Sequence, residues 1–345
     1  MTSINVLKLN YHSGILLCDE ARFWNPEWMI FYTPDKIRPV LREDIMKEQD
    51  LLLFFGQTGT SSIGDEFFDR IEKEIGFLYD KKKKTDGKIH GNFMSVEELA
   101  HFTFKVITEI KQVHLDDFLK GKFGFTTADL IRGEYEYNNE MIPIEDEEII
   151  KSAYKFIMFE NNPKEIAGIY GNSQIMAGYD SDSGFRIFYM TERMPVCEEV
   201  QEIFLAQGSG RDTCDLQYSY FASSRPVRDR RGNIDKVTGL VAMLKGLAYA
   251  CKQAAGVGGY PKIIYVNAEE KNPNNRIKTV FDKRSKLAME IVLCGEADYI
   301  TRKNVNELVD QLVYHDEPFE DVHQRMVSLC SDEKRMFSFL RGYTI

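Results

Sequence analysis

The sequence of 345 residues lacks the cysteine and histidine patterns that hold metals or disulfide frameworks. Its six cysteines are scattered, and no two of them form a C-x-x-C pair. The six histidines show no ligand spacing either. We therefore expect buried free thiols, no metal site and no other cofactor.

Long apolar runs and an excess of positive charge are also missing. No segment approaches the roughly 18 apolar residues that a membrane span requires. No basic stretch followed by an apolar run marks a signal peptide at the N-terminus. The net charge of −10 argues against a nucleic-acid-binding surface. The sequence thus predicts a cytoplasmic protein without a membrane or nucleic-acid partner.

The first forty residues carry the most informative pattern. Residues 2–10 alternate between polar and apolar, a turn containing Gly14 follows, and residues 14–19 form a second apolar run. This arrangement is typical of a β-hairpin. The hairpin begins at Thr2, directly after Met1, and its second strand ends at Asp19. A short strand is expected to begin at Lys36.

Further along, apolar periodicity predicts several more elements. Ser95 and Glu98 form a capping box at the start of one of the helices. An irregular loop is expected over 23–34 and a solvated loop at Lys81 to Lys84. The expected strands are 51–55 (ending at Gly56), 174–179, 185–190, 202–206, 262–266 and 287–294, and the expected helices are 63–80, 95–119, 147–160, 237–255 and most of 303–340.

Strands that meet through hairpins favour antiparallel sheets, and helices that arrive in pairs favour layers outside those sheets. We therefore predict an α+β fold, a four-layer αββα sandwich with a helical C-terminal extension. The predicted core domain spans 1–270, with an expanded helical insertion around 81–160. Residues 271–345 would form the mainly helical extension packed on that core.

Several segments together resemble one family. The first of these segments is the Met-Thr start. It is followed by the run Gly14-Ile15-Leu16-Leu17-Cys18-Asp19-Glu20-Ala21-Arg22 and then by Lys36-Ile37. The hairpin at 177–189, the turn Gly208-Ser209-Gly210 and the strand at 263–266 follow in order. This order resembles the proteasome β-subunit superfamily of N-terminal nucleophile (Ntn) hydrolases, and most closely its bacterial proteasome-like threonine peptidases.

The resemblance implies roles for individual residues. Thr2 matches the nucleophile, Asp19 the acid, Lys36 the lysine, and Ser209 the serine that contacts the amine of the nucleophile. Gly56 matches the backbone N–H donor of the oxyanion hole, and Arg22 matches a structural arginine. Three residues match positions of the substrate-binding pocket: Phe23, Phe54 and Thr58.

The chemistry of such a site explains the residue types. A threonine hydroxyl needs a base to take its proton, and an N-terminal threonine carries one in its own α-amine. The pKa of a free α-amine is about 7.7–8.0, and a nearby ammonium lowers it. The resemblance thus implies a threonine-type peptidase or amidase that cleaves peptides or proteins through an acyl-enzyme on Thr2 after removal of Met1.

Two other functions remain open from the residues. The family often has Asp-x-x-Ser before its late strand, whereas this chain has Ala254-Ala255-Gly256-Val257. A catalytically silent assembly subunit would fit that departure. A transpeptidase or ligase would use the same acyl-enzyme with an amine acceptor. The resemblance also implies a homo-oligomer, and the sequence leaves open whether an ATP-dependent unfoldase is a partner.

Overall fold

The structure is a computed structural model. It describes residues 2–25, 28–31, 36–59, 61–87, 89, 93–161, 163–191, 196–226, 232–254 and 256–341, and the side chains of 22–25, 28–31, 61, 62, 86 and 341 lie outside that description. In these ranges no helix is long and apolar enough to cross a membrane. The described residues form a mixed α and β fold with antiparallel sheets.

The elements follow in chain order. The strands are β1 Ser3–Lys8, β2 Ser13–Cys18, β3 Ala21–Asn25, β4 Trp28–Phe31, β5 Ile37–Pro39, β6 Leu51–Thr58, β7 Glu134–Tyr137, β8 Glu140–Pro143, β9 Ser173–Asp180, β10 Gly184–Thr191, β11 Val196–Glu199, β12 Phe204–Gly208, β13 Lys262–Asn267 and β14 Ile277–Val280. The helices are α1 Glu43–Glu48, α2 Ser61–Asp86, α3 Val96–Phe123, α4 Thr127–Arg132, α5 Glu147–Ile157, α6 Ala167–Tyr170, α7 Arg211–Ser223, α8 Lys236–Gln253, α9 Lys283–Glu296, α10 Arg302–Val309, α11 Phe319–Ser328 and α12 Glu333–Arg341.

Two five-stranded antiparallel sheets form the centre. The first sheet has the order β12-β1-β2-β13-β14, and the second has the order β11-β10-β9-β6-β5. The first hairpin is confirmed, because β1 pairs with β2 from Ile4 opposite Cys18 to Lys8 opposite Gly14. The hairpin of β9 and β10 is confirmed as well, with Gly184 opposite Asp180.

Alternating side chains bury both faces of each sheet. From β1, Ile4 and Val6 enter a core shared with Phe54 and Phe185 of the second sheet. The other face of the first sheet packs on α8 and α9, and the other face of the second packs on α2 and α3. The two sheets touch closely at Gly14, where an added Cβ would lie 2.3 Å from the Phe185 ring.

The segment between α3 and β9 has a small core of its own. Leu119 of α3 packs there with Phe125, Phe156 of α5 and Ile166. Thr126 caps α4 in a capping box with Asp129, and β7 and β8 form a separate two-stranded hairpin. The C-terminal helices, by contrast, share the core of α8 and α9.

Four local predictions are wrong. Residues 287–294 lie in helix α9, because Leu287, Ile291 and Cys294 bury one helical face behind the Asp282 cap. Lys81 to Lys84 lie inside α2, and β3 and β4 occupy part of the expected loop at 23–34. Strand β6 does not end before Gly56 but continues to Thr58, because its ladder with β9 extends to Ser173.

Candidate functional site

The first hairpin brings Asp19 to the start of β1. Cys18 pairs with Ile4, so Asp19 lies opposite Ser3, the residue after Thr2. Two bonds fix this position: the Ser3 N–H donates to Asp19 Oδ1 at 2.7 Å, and the Asp19 N–H donates to the Ser3 carbonyl at 3.2 Å. The hairpin register therefore places the carboxylate one residue from the predicted nucleophile.

Lys36 reaches the same carboxylate from the second sheet. It directly precedes β5, and its Nζ donates to Asp19 Oδ1 at 2.7 Å and to the Ala21 carbonyl at 2.6 Å. The Lys36 and Asp19 side chains are only 7% and 1% exposed. Burial raises the pKa of the Asp19 carboxyl, and the Lys36 ammonium offsets part of that rise. The result is a buried ion pair between the two sheets.

The turn after β12 holds Thr2 itself. The Thr2 N–H donates to Ser209 Oγ at 3.1 Å, and Ser209 Oγ donates to the Thr2 carbonyl at 3.3 Å. Gly208 has a φ of +93°, and an added Cβ would lie 2.0 Å from the Thr2 carbonyl oxygen. A side chain at 208 would displace Thr2, so the glycine permits this close approach.

Gly258 contacts Asp19 through its backbone. It directly follows residues 254–257, which lack the Asp-x-x-Ser pattern of the proteasome β-subunit superfamily. The Gly258 N–H donates to Asp19 Oδ2 at 3.2 Å. The Gly258 carbonyl accepts from the N–H groups of Glu20 and Ala21, at 3.0 and 2.9 Å. Backbone groups therefore support Asp19 here whatever side chains stand at 254–257.

The structure brings Thr2, Asp19, Lys36 and Ser209 together, but it places Gly56 differently. The Gln57 N–H donates to the Lys36 carbonyl, so the backbone N–H of residue 57 points toward β5. Strand alternation then directs the Gly56 N–H to the other side, toward its β9 partner Ile175. That donor is taken up by the sheet, and we withdraw the expectation that it contacts an oxyanion.

The residues predicted to line the substrate-binding pocket do not all lie near Thr2. Phe54 is 1% exposed and packs in the core between the sheets, so it does not line a cleft. Thr58 lies at the end of β6, and its Cγ2 is 3.3 Å from the position that a Gly208 Cβ would occupy. The side chains of Phe23 and Arg22 lie outside the described residues.

Two residues beside Thr58 were not predicted. Thr58 Oγ1 lies 2.9 Å from Ser173 Oγ, and Ser173 Oγ lies 3.3 Å from Gln207 Oε1. These bonds join β6 and β9 to β12, across the two sheets. Gln207 directly precedes the Gly-Ser-Gly turn, which is the one sequence signal that pointed to it. Nothing in the sequence marks Ser173.

A separate cavity of about 630 Å³ lies among α7, α8, α9 and α10. Tyr220, Lys245, Glu296 and Arg302 are among its lining residues. None of the predicted site residues lines it. The cavity is therefore distinct from the cluster around Thr2.

Comparisons with known proteins give a likeness of fold. No family model and no curated protein matches the sequence. Among solved structures, the chain is similar to Anbu (ancestral beta-subunit) from Yersinia bercovieri, with a TM-score of 0.51, 8% identity, and coverage of 86% of this chain and 94% of that chain. An Anbu (Gly-1) mutant from Hyphomicrobium sp. strain MC1 gives a TM-score of 0.51, 9% identity, and coverage of 86% and 95%.

These findings correct the family assignment made from the sequence. The structural matches are weak, with a TM-score of 0.51 at 8–9% identity, so the assignment to the proteasome β-subunit superfamily, and to its bacterial threonine peptidases, is wrong. At 8–9% identity the structural likeness concerns the fold alone.

Proposed function

We propose that this protein is an N-terminal threonine hydrolase that cleaves amide bonds in peptides or proteins. The observation that carries the proposal is that Ser209 and the Asp19–Lys36 pair both form hydrogen bonds to the backbone of residues 2 and 3. Ser209 bonds both the backbone N–H and the carbonyl of Thr2. The buried Asp19–Lys36 pair is bonded to the N–H of the next residue, Ser3. A nucleophile, a cation and an acid thus occur at one position of the fold.

The proposed reaction begins with the removal of Met1, which turns the Thr2 amide nitrogen into an α-amine. That amine takes the proton from Thr2 Oγ while Oγ attacks the substrate carbonyl carbon. The carbon–nitrogen bond then breaks, and the leaving amine takes the proton. Water adds to the resulting ester, which releases the acid product and regenerates the Thr2 hydroxyl.

Lys36 and Asp19 would set the electrostatics of this site. The ammonium of Lys36 favours the neutral, proton-accepting form of a nearby amine. Asp19 holds that ammonium in place, with Ser3 and Gly258 as its backbone donors. Ser209 would orient the α-amine through the contact that it makes with the Thr2 nitrogen. Lys36, Asp19 and Ser209 are therefore positioning residues, whereas Thr2 is the catalytic residue.

We propose that the oxyanion contact lies in the first turn of α2. Thr58 ends β6 beside Gly208, and α2 begins three residues later at Ser61. The first N–H groups of a helix have no partner within the helix and attract negative charge. This turn therefore suits the role that Gly56 cannot fill.

We also propose a four-layer αββα arrangement for the core. Three apolar cores support this arrangement. One lies between the second sheet and helices α2 and α3, one lies between the two sheets, and one lies between the first sheet and helices α8 and α9. The domain division at 270, the homo-oligomer and the cytoplasmic location stay predictions. Light scattering of the purified protein measures the oligomeric state.

Peptide turnover by matched variants tests the function. The chain with Met1 removed should hydrolyse peptides, Thr2→Ala should abolish turnover, and Thr2→Ser should keep part of it because it retains a hydroxyl. An added amine that diverts the product would indicate transpeptidation. Full turnover by Thr2→Ala, or retention of Met1 in the native protein, would refute the proposal. A processed but inactive protein would favour the silent assembly subunit.

A further inference from the structure

Gln207 carries an amide that its surroundings do not satisfy. It is 3% exposed, and its Nε2 has no hydrogen-bond partner among the residues that the structure describes. Its Oε1 accepts from Ser173 Oγ at 3.3 Å. If the amide were turned over, Nε2 would donate to Ser173 Oγ and Oε1 would take the present position of Nε2. In the observed placement one polar atom of a buried amide is unsatisfied, which costs about 1–3 kcal/mol.

The position of this amide relates it to Thr2. Gln207 pairs with Ile4 across β1 and β12, and the Ile4 side chain lies between the sheets. Paired residues share a face, so the Gln207 side chain also points between the sheets. The next residue, Gly208, lies against both the Thr2 carbonyl and the Thr58 side chain. The unsatisfied amide is therefore at the rim of the sandwich where Thr2 lies.

The two side chains that connect the amide to β6 and β9, Ser173 and Thr58, carry no charge. Thr58 Oγ1 bonds Ser173 Oγ at 2.9 Å and the Ser173 carbonyl at 3.3 Å, and Ser173 Oγ in turn bonds Gln207. A neutral, hydrogen-bonded group fixed in a buried site suits a neutral polar ligand. A charged ligand would lose its hydration without gaining a counter-charge from these three side chains.

We propose that Gln207, held by Ser173 and Thr58, determines substrate specificity by hydrogen-bonding a neutral amide or hydroxyl side chain. That side chain belongs to the substrate residue on the acyl side of the cleaved bond, because Thr2 Oγ attacks the carbonyl of that residue and Gly208, the neighbour of Gln207, lies against Thr2. This inference rests on the proposed function for the identity of the ligand. A site that bonds a polar group discriminates strongly against an analogue that lacks it.

Peptide binding to the Thr2→Ala variant tests the inference without requiring catalysis. Two tetrapeptides that differ only in Gln or Met at the acyl-side residue are titrated calorimetrically. The Gln peptide should bind about 5- to 150-fold more tightly, the ratio that about 1–3 kcal/mol produces. Adding Gln207→Leu should remove the preference. Adding Ser173→Ala, which removes one bond to Gln207, should reduce it.

Gln311→Leu is the matched control, because Gln311 also has a buried Oε1 without a partner among the described residues but lies in the π-helix Asp310–Tyr314 after α10. It should leave the preference unchanged. Equal affinities for the two peptides, no binding of either, or a preference that survives Gln207→Leu would overturn the inference. Peptide turnover by the chain with Thr2 intact is measured separately. Turnover without the preference would reject the Gln207 role and leave the proposed function standing.

Discussion

Replacement of Lys36 by Met should destabilise the fold strongly at neutral pH. The Lys36 Nζ lies 2.7 Å from Asp19 Oδ1, and both side chains are nearly inaccessible. At an effective dielectric constant of about 20, this separation corresponds to about 6 kcal/mol of attraction. Desolvation offsets part of it, and removal of one partner from a buried pair costs about 3–5 kcal/mol. We expect a loss of that size in the free energy of unfolding.

The loss should depend on pH in a defined direction. Without Lys36, the pKa of the buried Asp19 carboxyl rises further above its usual value of 3.8. The folded variant then binds a proton more tightly than the unfolded chain does. Its stability should therefore fall as the pH rises above about 4, and its deficit should be smallest in acid.

Urea denaturation of wild type and variant at several pH values measures this effect. Lys47→Met is the matched control, because Lys47 forms an exposed pair with Glu43 and should cost less than about 1 kcal/mol. A loss below 1 kcal/mol for Lys36→Met, or one that is equal at pH 5 and pH 8, would refute the buried ion pair.

Two further predictions concern Thr2 and the second sheet. Gly208→Ala should abolish turnover and destabilise the fold by at least about 1–3 kcal/mol, because its Cβ would meet the Thr2 carbonyl at a φ of +93°. Gly232→Ala, at a φ of +104° with its nearest contact at 3.5 Å, should keep activity, and equal turnover by both variants would contradict this account. Glu199→Gln should cost about 1 kcal/mol at pH 7, since Arg186 lowers the pKa of Glu199 from 4.5. That contribution to stability is present above the unfolded pKa of Glu199 and is lost as the pH falls through its folded pKa. The difference in unfolding free energy between the two proteins should therefore shrink in acid, and a constant difference would disprove it.

The local pattern of the sequence predicts the first hairpin and, through it, the position of Asp19. Period-2 alternation and a glycine-containing turn fix the pairing of β1 with β2. Lys36 joins Asp19 from another sheet, and that contact came from the family resemblance rather than from periodicity. The structure contains the hydrogen bond between Lys36 and Asp19, while the role of Lys36 as a positioning residue stays a prediction.

Other features depend on contacts between distant segments, which local patterns do not reveal. The glycine at 56 resembles a strand end, yet the β9 ladder extends the strand and takes up its N–H. Phe54 turns inward because it shares a strand face with Leu52 in the core between the sheets. Residues 287–294 are a short apolar run, for which strand and helix cannot be distinguished by periodicity alone.

The central claim is that Thr2 becomes a free N-terminal nucleophile. Fragmentation mass spectrometry of the intact native protein, after treatment with a β-lactone that acylates nucleophilic hydroxyls, tests it most directly. We predict a chain that lacks Met1 and carries a single acyl group on Thr2. A chain that retains Met1, or an acyl group on any other residue, would contradict the account.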